Sequence, residues 1–366
     1  MNSEKKYYPQ LDSIRGISFL SIFIFHAVNP SLGNGIINEF FKFIYAHLIL
    51  SIDVFFILSS FLLTFLGITE FERTGKFSFK NYFLRRSLRI WPLYFLLMFF
   101  SFVVLRIVQH YLGAQMTLPP AYWYLFFISN FYLPDHVFFL RLLWTLSIEE
   151  QFYIVWGVCL LFFQKYLKWV MIFLGIISIV FIVFQTLAVV GIYLHTLSYI
   201  IDMMCGAFAA FCIKRKNKVY EFICGLTRVQ SFAFYMFLPL LFIVFFLIDR
   251  KLTGVAYYLN TEIFRVIFIV FCSLVVMEQM REQSSVFNIS HNRFLIYTGK
   301  ISYGLYCFHG FVIAFGNLLI LKMNFTIPGL IKFLIYISFT FLIAGISYTY
   351  IEKPFLKLKD KLRRVR

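Results

Sequence analysis

The sequence predicts an all-α, polytopic membrane protein of about ten transmembrane helices, with both termini in the cytoplasm. Three observations predict it. Hydrophobic residues make up 61% of the 366 and charged residues only 14%, against about 25% charged in a soluble domain. Apolar stretches near the ~20 residues that a span requires recur along the whole length. The Lys and Arg residues collect between alternate stretches, as topogenic charge does.

The elements follow in order. Met1–Gln10 is polar and has no cleavage site, so the first apolar segment is expected to stay. Spans are expected over 11–28, 46–67, 90–110, 145–164, 168–188, 191–213, 231–248, 262–280, 301–321 and 328–350. Tyr122–Leu133 is apolar but short and runs into Pro134-Asp135-His136, which makes it interfacial or re-entrant. Charge decides that choice. With the N-terminus inside and ten spans, the inner loops hold Arg73, Lys76, Lys80, Arg85, Arg86 and Arg89, then Lys165 to Lys168, Lys214 to Lys218 with Arg228, 281–300, and the tail Lys353–Arg366. The outer loops hold little beyond Arg141, Arg250 and Lys251. An eleventh span would put the basic tail outside, against the positive-inside rule. Residues 1–366 therefore form one membrane domain with a cytoplasmic basic tail at about 353–366.

The net charge of +17 does not indicate nucleic acid, because the basic residues build no single face. The six cysteines lie in or beside apolar stretches without metal-ligand spacing, so they read as small apolar filler and no metal site is expected. The 51 Phe and 23 Tyr are assigned to lipid contact and helix packing.

Ionisable groups inside a bilayer cost about 2.5–3.5 kcal/mol each on insertion scales and so mark function. The first span holds Arg15 and His26. Eleven residues at 100° per step return to within roughly 20°, so both occupy one helix face, about 16 Å apart along the axis. A snorkelling arginine and an interfacial histidine account for the same spacing. Asp53 lies two turns into the second span and needs a partner, with His26 or an arginine the natural candidates. In Arg85-Arg-Ser-Leu-Arg-Ile-Trp-Pro-Leu-Tyr94, Arg85 and Arg89 share a face if the segment is helical. The guanidinium fork suits phosphate, though a basic cluster at a cytoplasmic helix end also serves as an anchor. Glu149, Tyr153 and Trp156 fall on one face of the fourth span, while Glu150 does no more than complement the helix dipole. His309 sits two turns into the ninth span, where a satisfied interior histidine is the plainer reading. A base in the outer half and a phosphate clamp at the inner mouth suit a long donor that threads the protein.

At these residues the chain resembles the membrane-bound acyltransferase 3 family, over 8 to 356. The carrying elements are Arg15-x10-His26, Asp53-x-Phe-Phe-x-Leu-Ser59, Arg85-Arg-x-x-Arg-Ile-x-Pro92, Ser147-x-Glu-x-Gln-Phe-Tyr153, Ser302-Tyr303…His309 and Glu352-Lys-Pro354. Each is weak alone, and the order of all six is specific. The resemblance implies a ten-helix fold that takes acyl groups, acetyl above all, from cytoplasmic acyl-CoA and delivers them to an extracytoplasmic or lipid-linked glycan such as an O-antigen polysaccharide. It implies that His26 is the essential histidine, supported by Arg15, and that the run Arg85, Arg86, Arg89 with Tyr94 meets the CoA. Ser59, Ser147, Tyr153, Ser302 and His309 are expected along the substrate path, and the bacterial cytoplasmic membrane is the expected location. One departure is Ser60, where many members have Gly, which leaves the packing around the donor channel open. No hydrolase-like domain follows the last expected span, so direct transfer to the acceptor is expected.

A sugar hydroxyl is a poor nucleophile near neutral pH and needs a base within reach. Neutral His26 is the candidate, oriented by Asp53 or Glu149 in acid–histidine fashion. Two rivals carry the same ionisable residues. A non-enzymatic glycan exporter would need a wide polar conduit, and a proton-coupled transporter would be expected to have repeats and broken helix pairs. The spans have few polar residues beyond those named, and neither repeats nor broken pairs are evident. Release of free CoA on addition of acceptor separates the enzyme from both.

Overall fold

With no water in the hydrocarbon to satisfy backbone groups, a long apolar run must close its hydrogen bonds internally as a helix. The computed structural model describes residues 7–30, 33–107, 118–132, 137–188, 194–281, 285–324 and 326–364, with side chains to 358. Pro134-Asp135-His136 lie outside the described residues. All regular structure among the described residues is helical.

Nine helical stretches there are long and apolar enough to cross a membrane: Ile36–Thr74, Phe79–Ile107, Phe138–Phe162, Gln164–Leu187, Thr196–Arg215, Arg228–Asp249, Gly254–Gln279, Ser302–Lys322 and Gly329–Leu358. The tenth is α1, Pro9–Ala27, long enough to span although Asp12, Arg15 and His26 dilute its hydropathy. Ten such helices among the described residues, alternating in direction, return both ends to one face of the bundle, the face that carries most of the basic loops and is called the inner one below.

The second span enters through an amphipathic helix, α2 (Ile36–His47), before α3 (Ser51–Thr74). No expected span covers residues 36–45 of α2. It lies against α11 (Arg228–Asp249), where Glu39 pairs with Arg250 at 3.0 Å. The expected inner loop at 68–90 is mostly helix. α3 runs to Thr74, Gly75 caps it in the left-handed region at φ 68°, and Ser78 caps α4 (Phe79–Phe99) through the Asn81 amide. The arginine run is thus inside α4, ahead of Pro92. A π turn at Phe100–Val104 continues that span.

The short apolar segment does not cross. It forms one turn, α5 (Tyr122–Leu125), and a 3-10 turn at Ser129–Phe131, tucked against α4 and α7 (Trp144–Phe162). A further turn, α6 (Phe138–Arg141), leads into α7. Then come α8 (Leu167–Leu187), α9 (Thr196–Arg215), the short α10 (Lys218–Cys224), α11, α12 (Gly254–Gln279) and the inner helix α13 (Arg293–Lys300). α14 (Ser302–Lys322) and α15 (Gly329–Ser347) complete the spans. The basic tail continues as helix α16 (Lys353–Arg364) through a π turn at Tyr348–Glu352.

Helix packing in lipid relies on close backbone approach, and glycines supply it at two places that set the site. Gly16 of α1 lies against the Leu295 backbone and Gly299 of α13 against the Asp12 backbone, so α13 braces the inner end of α1. Gly206 of α9 lies against the Ile57 carbonyl and the Ser60 hydroxyl of α3. The small residue missing at Ser60 is therefore supplied from the facing helix, and Ser60 is fully buried with its hydroxyl on the Ile57 carbonyl at 3.0 Å. At the periphery, Trp169, Phe173, Ile176, Val180, Phe184 and Leu187 make an exposed apolar stripe along α8, as a lipid-facing helix requires.

Candidate active site

α1 carries the two signature residues to opposite ends of the bundle. At the inner end, Arg15 is buried and its Nη1 donates to Asp12 Oδ1 at 3.3 Å. Arg86 and Arg89 of α4 lie within electrostatic range of it, as does Glu149. Arg86 and Arg89 are three apart and share a face of α4. The Arg86 guanidinium stacks over the Tyr153 ring at 5.7 Å, and Arg89 faces Glu352 and Tyr348 of the last span. Three guanidinium groups thus converge at the inner mouth, a donor set matched to a polyanion. Arg85 points elsewhere: its Nη2 is held by Glu70 Oε2 at 2.9 Å.

Above this cluster Glu149 takes two hydrogen bonds, from Ser59 Oγ to Oε1 and from Tyr153 OH to Oε2, both at 2.8 Å. Ser59 and Tyr153 are themselves 3.3 Å apart, closing a triangle between α3 and α7. Glu150, read from sequence as a dipole complement, is buried, and its Oε2 accepts from Trp91 Nε1 at 3.3 Å.

At the outer end His26 is half-buried between Phe25 and Phe138, with Arg141 in electrostatic range. Its Nδ1 is 3.3 Å from Nε2 of His309, which is fully buried on α14. Neither Asp53 nor Glu149 is its hydrogen-bond partner, as the acid–histidine expectation required. Asp53 is instead committed to Arg265 of α12, whose Nη2 and Nε reach Asp53 Oδ1 at 3.1 and 3.3 Å. The same Nη2 reaches Asp202 Oδ2 of α9 at 2.8 Å, and the guanidinium stacks over Tyr199. Asp53 is one corner of a buried ionic knot of three helices. Arg15 is likewise separated from His26, by about 16 Å of helix.

The remaining expected site residues divide. Tyr94 is fully buried, and its hydroxyl donates to the Tyr124 carbonyl at 2.8 Å. Ser147 Oγ accepts from the Ser129 amide at 3.2 Å and lies 2.8 Å from Ser129 Oγ. Both hold the short segment around Tyr122–Phe131 in place. Ser302 is buried at the first turn of α14, seven residues below His309, or about 10 Å along the axis. Sequence reasoning missed Arg265 and Asp202, although both are charges inside expected spans, the criterion that singled out Asp53. It also missed Tyr306, whose hydroxyl accepts from Thr145 Oγ1 at 2.9 Å and donates to the Leu142 carbonyl at 2.8 Å.

The acyltransferase-domain family matches residues 8–349. An inferred O-acetyltransferase of Staphylococcus aureus strain COL is 28% identical over 382 residues, covering 96% of this chain and 58% of that protein. The peptidoglycan O-acetyltransferase OatA of Listeria monocytogenes serovar 1/2a is 26% identical over 385 residues, covering 96% of this chain and 56% of that one. The O-acetyltransferase OatA of S. aureus strain NCTC 8325 is 26% identical, with 96% and 58% covered. The chain thus spans less than three fifths of the length of these relatives. No solved structure matches it.

Proposed function

The chain belongs to the acyltransferase family whose domain it matches over 8–349, and on that premise we propose that it is a membrane O-acetyltransferase working from acetyl-CoA onto a glycan. The observation that carries this reading is a set of polar groups at successive depths: Arg15, Arg86 and Arg89 toward the inner face, Glu149 with Ser59 and Tyr153 beside them, and His26 at the outer end of α1. The arginines take the phosphates of CoA, so Arg15 belongs to donor binding rather than to the support of His26. The pantetheine arm carries the thioester outward, and CoA itself does not cross.

His26 removes the proton of the acceptor hydroxyl. The hydroxyl oxygen forms a bond to the acetyl carbonyl carbon, the carbon–sulfur bond breaks, and the CoA thiolate leaves with the proton that His26 returns. A carbohydrate of the cell envelope is the acceptor class, with peptidoglycan the first to test because the Listeria relative carries it in its name. O-antigen-type and lipid-linked glycans complete the panel, and the bacterial cytoplasmic membrane is the site of action.

The test is CoA release by purified protein given acetyl-CoA and glycan. Wild type should release CoA in step with ester formation, and His26→Ala should abolish both while keeping its thermal stability. Ester formation retained in His26→Ala above a few per cent would remove His26 as base. An absence of thioester cleavage with every acceptor would favour an exporter or transporter.

A further inference from the structure

We propose that His309 is a positioning residue that fixes the tautomer of His26. This rests on the reading of His26 as the base. The argument begins at a backbone carbonyl. His309 Nδ1 lies 2.6 Å from the carbonyl oxygen of Tyr306, and a carbonyl only accepts. Nδ1 of His309 therefore carries the hydrogen. A neutral imidazole has one N–H, so His309 Nε2 presents a lone pair, and the atom facing it is His26 Nδ1 at 3.3 Å. That nitrogen must donate to His309, which competes for the ring's hydrogen with the Ile22 carbonyl one turn back on α1. In neutral His26 the remaining nitrogen, Nε2, is then unprotonated, as a general base must be.

The alternative assignment needs a positively charged His309, donating from both nitrogens. No carboxylate among the described residues pairs with it, and a buried unpaired charge is costly. The surroundings also hold the ring still. His309 is fully buried, with Phe19 edge-on at 6.1 Å. Tyr306, one turn below it, is pinned by Thr145 and the Leu142 carbonyl. When His26 takes the acceptor proton, its Nδ1–H···Nε2 bond to His309 becomes charge-assisted. The imidazole thereby serves where other acyl transferases place a carboxylate.

The geometry separates two substitutions. A glutamine amide oxygen reaches the place of His309 Nε2 and still accepts from His26. A phenylalanine fills the same space and accepts nothing. In the full chain reconstituted in lipid nanodiscs, His309→Phe should lower kcat by about ten- to a hundredfold, the range for removing an orienting partner, with KM for acetyl-CoA within twofold. His309→Gln should stay within about fivefold of wild type. The second readout is the 15N NMR spectrum of histidine-labelled protein, with His26 assigned by difference from His26→Ala. Wild type should place the His26 proton on Nδ1, and His309→Phe should turn it into a mixture of tautomers. Full activity in His309→Phe, equal losses in the Phe and Gln variants, or a wild-type His26 proton on Nε2 would each overturn the proposal. Activity retained in His26→Ala would instead remove the base, and the tautomer measurement tells that failure apart from this one.

Discussion

The assignment of Asp53 to structure rather than chemistry has a measurable consequence at Arg265. This guanidinium reaches Asp53 Oδ1 at 3.1 and 3.3 Å, both oxygens of Asp202 at 3.0 and 2.8 Å, and the Ser198 carbonyl at 3.2 Å, with Glu262 at 3.6 Å. Arg265→Met removes the cation and leaves carboxylates facing one another among α3, α9 and α12. Breaking a buried pair in this way costs about 3–5 kcal/mol. Asp53→Asn keeps an acceptor oxygen for both Nη2 and Nε and leaves Arg265 on Asp202, so it loses only the charge-assisted part of those two contacts, about 1.5–3 kcal/mol. The two variants should therefore rank clearly in thermal unfolding of detergent-purified protein, with Arg265→Met far the worse. Asp53→Asn that folds should retain acyl transfer within about tenfold. Loss of all transfer in Asp53→Asn at an unchanged unfolding temperature would refute the assignment and return Asp53 to the reaction.

The proposed donor site divides the arginines that the sequence grouped together. Arg86→Gln or Arg89→Gln should raise KM for acetyl-CoA by about ten- to a hundredfold, the value of one charge-assisted contact, and salt should narrow the gap to wild type. Arg85→Gln, which releases only Glu70, should change that KM less than threefold; equal effects at all three positions would favour a plain membrane anchor. Gly206→Ala should destabilise by about 1–3 kcal/mol through overpacking, because the new Cβ strikes the Ile57 carbonyl and the Ser60 hydroxyl. Adding Ser60→Gly should recover only part of that loss in a melting assay, since the carbonyl remains. In sealed vesicles of known orientation, Gly33→Cys should react with an impermeant thiol reagent from outside and Lys76→Cys only from inside; the reverse pattern would invert the topology.

What was legible in the sequence was what a single helix fixes. Hydropathy and loop charge set the spans, and the 11-residue spacing put Arg15 and His26 on one face of α1. The partners were not legible, because each lies far along the chain and packing alone selects it: Arg265 is 212 residues from Asp53, and His309 is 283 from His26. A charge in a span announces that it has a partner but not which one. The sequence offered Asp53 and Glu149 to His26 because acids commonly orient catalytic histidines. The fold had already committed Asp53 to Arg265, and Glu149 to Ser59 and Tyr153. The same logic separates the signature pair. Arg15 and His26 are one motif by spacing but two half-sites by depth, about 16 Å apart, and no single small substrate bridges that gap. A substrate with its anionic end at the inner mouth and its reactive end on a long flexible arm does. The proposed acyl-CoA donor has that shape.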